Sequence, residues 1–174
     1  MPTEQYLAVI LLLLVSIAAV NDLATRRIPN RLLLAGLGCA LLLHLLSSDP
    51  GASLLTALGG MGVGLGVFLP LYMVRGMAAG DVKMMAVVGA FTGPGDAFEI
   101  AVLSWCAGGV MGLVLVLVRG RLVLALCNVG RILRGAMIPG VGFAAPTKET
   151  SVGSMPYGVA IAVGTVVFLV RHYG

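Results

Sequence analysis

Six apolar runs fill most of this chain: roughly Gln5 to Asn21, Leu32 to Ser48, Gly51 to Val74, a short Met84 to Gly95, Ile100 to Val118, and Ser151 to Val170. Stretches such as Ile10 to Leu14 and Leu113 to Val118 are apolar on every side, which leaves no face for water. A bilayer core of about 30 Å takes about 20 residues of helix, so 174 residues supply six crossings with short connections. Only 10% of the side chains are charged, against roughly 25% in soluble domains, and the mean hydropathy is +1.07. A transmembrane barrel would instead alternate apolar and polar residues over segments of about ten. The expected fold is all-α: a polytopic membrane helix bundle, with spans near 5–22, 32–48, 51–74, 78–95, 98–118 and 151–170, forming one integral membrane domain over 1–174.

The net charge of +4 is distributed by connection. Arg26, Arg27 and Arg31 fall in the first connection, Arg75 and Lys83 in the third, and Arg119, Arg121, Arg131, Arg134 and Lys148 in the fifth, while the second and fourth carry Asp49, Asp96 and Glu99. Ten of the eleven basic residues therefore lie on one side and only Arg171 on the other. By the positive-inside rule that side is cytoplasmic and both termini face out. The basic excess then marks topology, and no nucleic acid partner is expected. No Lys or Arg precedes the first run and Arg26 and Arg27 follow it, the reverse of a secretory signal, so the run is read as a retained span. In the cytoplasmic loop 119–150, Leu122, Leu126, Val129, Ile132 and Leu133 recur near a 3.6 period, the pattern of an interfacial amphipathic helix.

Gly60 and Gly64, Gly62 and Gly66, and Gly108 and Gly112 form small-x-x-x-small pairs that let helix backbones approach closely. They are read as packing within the bundle; a homodimer face is the other use of such a pattern. Cys39, Cys106 and Cys127 are isolated and odd in number, so they are expected as small hydrophobes within the bundle. His44 and His172 form no His-Glu-x-x-His arrangement, and no phosphate-binding Gly-x-x-x-x-Gly-Lys-Ser/Thr loop exists. No metal or cofactor is expected.

Of seven acidic residues, Glu4, Asp49, Asp96 and Glu99 lie at the outer ends of spans and Glu149 in the long loop. Asp22 and Asp81 differ. Met84 to Gly95 gives only about 18 Å of helix, so the fourth span has to begin near Gly76 to Gly80, drawing Asp81 and Lys83 to membrane depth. The first span most easily completes itself by including Asp22. Two crossings separate the end of the first span from the start of the fourth, so both aspartates lie at the same edge. Their bland roles would be pairing of Asp22 with Arg26 and, for Asp81, helix capping or neutralisation of Lys83. If they approach within a few ångströms they share one proton, and such a pair can activate water against a peptide carbonyl.

The residues around both aspartates resemble a known family. Asn21-Asp22 with Ile28-Pro29-Asn30, and Ala78-Ala79-Gly80-Asp81-Val82-Lys83, look like the two aspartate motifs of the type IV prepilin peptidases, and Met155-Pro156-Tyr157-Gly158 resembles that family's Pro-Tyr-Gly segment. The second motif is usually Gly-x-Gly-Asp, and here Ala78 replaces its first Gly. The chain has no cytoplasmic extension with Cys-x-x-Cys metal motifs. It therefore resembles the short members associated with Flp-type, tight-adherence pili, for which N-methyltransferase activity is not implied. The resemblance implies an aspartic endopeptidase of the bacterial inner membrane with Asp22 and Asp81 catalytic, and Asn21, Asn30, Gly80 and Lys83 in support. The implied substrate is a prepilin or pseudopilin precursor with a basic leader and an apolar helix lying in the lipid bilayer, cut after a Gly at their junction. The rival reading is a proton- or ion-coupled transporter that uses the same two carboxylates.

Overall fold

The computed structural model describes residues 2–73, 76–120 and 155–173, and among these every regular element is an α-helix. The helices are α1 (Pro2–Thr25), α2 (Asn30–Leu45), α3 (Pro50–Met73), α4 (Ala79–Thr92), α5 (Pro94–Val118) and α6 (Tyr157–Tyr173). Three of them begin on proline, which lacks an N–H that a first turn would leave unpaired. Contacts divide the chain into two compact units, residues 1–108 with 156–174, and residues 109–155. Residues 121–150, where the sequence predicts the interfacial helix and most of the basic loop, lie outside the described residues, and Cys127 with them.

The chain is a membrane helix bundle. α1, α3 and α5 are long and apolar enough to cross a bilayer, while α2 and α6 are shorter apolar helices of 16 and 17 residues. Large apolar side chains face outward, with Val20, Leu34 and Leu55 at 65%, 72% and 71% exposure, a surface suited to lipid. Cys39 and Cys106 are also exposed, contrary to the expectation that they fill the interior. Their helices turn smaller residues inward instead, with Ala40 and Ser104 buried.

α4 spans 14 residues, about 21 Å, and ends sooner than the span 78–95 expected from hydropathy. Gly93 adopts a φ of +84°, a conformation that favours glycine, and Pro94 opens α5 at once. A Cβ on Gly93 would also meet Thr56 Cγ2 at 2.8 Å. α4 can be short because protein surrounds it. It packs against α1, α2, α3 and α6, and from Asp81 to Phe91 only Lys83 is exposed.

Glycines bring α3 against this central helix. A Cβ on Gly60 would overlap the Gly89 carbonyl, one on Gly89 the Gly60 carbonyl, and one on Gly64 the Met85 carbonyl. The neighbouring Gly62 and Gly66 have nothing within 4 Å of an added Cβ. Only one of the two overlapping patterns in α3 is thus used inside the bundle. Gly108 makes room for the Tyr157 ring, which meets Phe68 edge-on at 6.0 Å; Phe68 in turn stacks on Trp105 at 6.2 Å.

Candidate active site

Five polar or charged residues are buried among the described residues: Asp22, His44, Asp81, Ser104 and Thr165. Ser104 and Thr165 each donate to the carbonyl four residues back, and His44 Nε2 lies 3.0 Å from the Ala90 carbonyl oxygen. These three are satisfied core groups. Asp22 and Asp81, 6% and 5% exposed, remain as the buried acids of that set.

Each carboxylate meets a backbone N–H at the start of a helix. Asp22, near the end of α1, accepts from Gly158 N at 2.8 Å, in the first turn of α6 and 136 residues away. Asp81 stands at the third position of α4, and its Oδ2 accepts from Ala78 N at 3.2 Å. That is the carboxylate half of a capping box, whose other half needs a hydroxyl that Ala78 lacks. Helix N-termini carry partial positive charge, which offsets part of the cost of placing acids there. The two acids are joined through their neighbours: the Ile28 side chain lies against Gly80, next to Asp81, and against Gly158, whose N–H holds Asp22.

The pair is therefore assembled by three helices: α1 supplies one acid, α4 the other, and α6 an N–H donor. The first turn of α6 has to approach α1 without a side chain in between. A Cβ on Gly158 would sit 2.9 Å from Asp22 Oδ2 and 3.1 Å from its Cβ. Ala78 has φ −84° and ψ 153°, extended backbone open to any residue, so alanine loses nothing there by replacing glycine.

The supporting residues divide. Asn21 donates to the Ile17 carbonyl of its own helix at 2.9 Å. Lys83 Nζ reaches Asn30 Oδ1 at 3.4 Å on an exposed face, joining the starts of α2 and α4, so it bonds Asn30 instead of neutralising Asp81. Gly80 lies against Ile28, and a Cβ added to it would stand 3.5 Å from Ile28 Cβ. The capping role considered for Asp81 is present, through Ala78 N. Sequence reasoning missed Gly158 as the donor to Asp22 and Ile28 as the side chain between Gly80 and Gly158. The signals were there in Pro156-Tyr157-Gly158 and Ile28-Pro29, but nothing local links them to the aspartates.

A helical membrane protein with two buried carboxylates gathered at one end of its bundle is the class that fold and site define. A family model described as the type IV leader peptidase family matches residues 9–113, a segment containing both Asp22 and Asp81. The chain belongs to that family, which makes it a protease of the leader peptidase type. No curated protein and no solved structure matched it.

Proposed function

We propose that this chain is an aspartic endopeptidase that removes the basic leader of type IV prepilins or pseudopilins of the Flp class at the cytoplasmic edge of the bacterial inner membrane. The observation that carries the reading is the pairing itself: in a chain with seven acidic residues, two buried ones come from different helices to one place. Where the two carboxylates close to within a few ångströms around a substrate amide, they cannot both ionise cheaply and share one proton. The ionised member takes a proton from water as the water oxygen adds to the scissile carbonyl carbon, and the protonated member donates to the carbonyl oxygen. Collapse of the tetrahedral adduct then breaks the C–N bond, and the departing amine takes up a proton from the pair. The Gly158 and Ala78 N–H groups hold the two carboxylates in register through this exchange. No step requires a metal ion, and N-methylation of the product is not part of the reading.

The basic connections support the sidedness. Arg26 and Arg27 lie in the same connection as Ile28, and Arg31 in the first turn of α2, beside the aspartates, whereas Arg171 stands at the other end of the bundle against Glu99. Asp22 and Asp81 thus sit at the edge where a precursor's basic leader gives way to its apolar helix. The test is reconstitution of the parent chain and of its Asp22→Asn and Asp81→Asn variants in liposomes with a Flp-type precursor peptide. Cleavage at the leader junction is expected from the parent chain, insensitive to chelators and to serine- or cysteine-directed reagents, and lost from both variants at unchanged helicity and melting temperature. Cleavage by either variant at the parent rate would overturn the assignment.

A further inference from the structure

Burial to 5% and 6% exposure keeps the two carboxylates from a peptide backbone as they stand, so some part of the site has to move before an amide can reach them. The connection between α1 and α2 is the segment built for this. It is four residues long, and Arg26, Arg27 and Pro29 line its outer side while Ile28 is half-buried and packed against the core. The Ile28 side chain lies on two glycines: Gly80, the neighbour of Asp81, and Gly158, the residue whose N–H holds Asp22. Its Cδ1 is 3.2 Å from where a Gly158 Cβ would stand, and its Cβ is 3.5 Å from the corresponding point on Gly80. A side chain resting on bare backbone at both places, directly beside both acids, occupies a seat that a peptide side chain could take.

The backbone on one side of that seat is also set apart. Arg26 has φ +55°, and among the described residues it is the only non-glycine with a positive φ. That conformation is sparsely populated for a residue with a side chain, and here it ends α1, with Arg26 N donating to the Asp22 carbonyl at 2.9 Å. On the other side Pro29, at φ −64°, is held by its ring and begins α2. The connection thus has its unusual backbone at the Arg26 end and its ring-fixed backbone at the start of α2.

We propose that Ile28 closes the carboxylate pair in the resting protein, and that the seat between Gly80 and Gly158 receives the first apolar side chain of the precursor's membrane segment when Ile28 withdraws. This rests on the reading of Asp22 and Asp81 as the cleaving pair and deepens it by naming the subsite for the residue after the scissile bond. Ile28 competes with substrate for one seat, so its own removal acts on binding and not on the chemical step.

The experiment is steady-state cleavage of one precursor peptide by the parent chain, by Ile28→Ala and by Asp81→Asn in the same liposomes. Removal of a competing closed state raises the competent fraction, so KM is expected to fall by about tenfold for Ile28→Ala with kcat held. A side chain that merely braces α4 and α6 would give the opposite split, a lower kcat at an unchanged or higher KM, and that result would overturn the proposal. Absence of cleavage by the parent chain would fail the underlying reading instead, which separates the two. Should Ile28→Ala not fold, Ile28→Cys in the Asp81→Asn chain, with Cys39, Cys106 and Cys127 changed to Ala, gives a second measurement. N-ethylmaleimide is expected to label that thiol several times faster once the precursor peptide is bound; an unchanged or slower rate would overturn the proposal.

Discussion

At one end of the bundle two aspartates are buried and each is held by a backbone N–H; at the other, acids of the same kind are left at the surface. Asp49 caps the first turn of α3 through Ala52 N at 3.2 Å, Glu99 pairs with Arg171 at 3.0 Å, and Asp96 lines a cavity of about 240 Å³ with Glu4, His44 and His172. Both ends therefore combine carboxylates with helix termini, and each has a cavity nearby, the one at the aspartate end lined by Asn30 and Lys83. What separates them is desolvation. A surface acid is solvated in either protonation state and can be lost cheaply, whereas a buried acid persists only where surrounding groups are arranged to receive it. At the Asp22 end that arrangement takes a glycine on a helix contributed from far along the chain.

The largest effect that would break this contrast is catalytic. Asp22→Asn and Asp81→Asn are each expected to lower the cleavage rate by about a thousandfold or more, since members of one catalytic unit fail together. Asp96→Asn and Glu99→Gln should stay within about threefold of the parent, as surface changes do. Rates measured on the four variants in one lipid mixture compare the ends directly. A large loss from Asp96→Asn would mean that the Asp96 end takes part in the reaction.

How far the sequence carried these distinctions depends on their range. The helical class, the six segments and the placement of both aspartates at helix ends follow from hydropathy and length, which are local properties. That the two aspartates share an end follows from counting crossings. The central place of α4 was not legible, because an apolar helix facing protein and one facing lipid have the same composition. Hydropathy consequently extended α4 past Gly93, whose positive φ goes with the approach of Thr56 from α3. The Cys39 and Cys106 expectation failed for a related reason: in lipid, a small apolar residue gains little from either side. Gly158 and Ile28 were out of reach because their partners are set by tertiary packing and not by any spacing along the chain.

Gly158 gives the next sharpest cut, since it tests whether the N–H contact and its close approach are what make the Asp22 end different. Gly158→Ala places a methyl carbon 2.9 Å from Asp22 Oδ2 and 3.2 Å from Ile28 Cδ1, so the carboxylate has to shift. Misplacement by about an ångström costs on the order of a hundredfold, and kcat is expected to fall by that order while the melting temperature changes little. Gly60→Ala and Gly62→Ala compare two glycines of one helix in the same way, with stability as the readout. A Cβ at Gly60 overlaps the backbone of Gly89 and should cost about 1–3 kcal/mol, as overpacking does. At Gly62 nothing lies within 4 Å, and alanine should stabilise the helix by up to about 1 kcal/mol. Melting in detergent checks both signs, and equal effects would mean that α3 does not pack on α4 through Gly60.

The smallest expected effect lies at the opposite end, where Arg171 Nη1 meets Glu99 Oε1 at 3.0 Å. The two side chains are 66% and 46% exposed, so water and salt screen the pair and each long side chain gives up freedom to make it. Arg171→Ala is expected to cost at most about 1 kcal/mol, less at high salt, with cleavage unaffected. Arg171 is also the one basic residue that the charge pattern assigns to the outer side, so its replacement leaves the ten on the other side to orient the chain alone. Thermal melting at low and high salt, together with protease accessibility of the C-terminus in sealed vesicles, reads stability and orientation separately. A loss of several kcal/mol that salt does not diminish would mean that the pair is buried in the membrane-embedded protein, and the difference between the two ends would then be one of partners and no longer one of solvent.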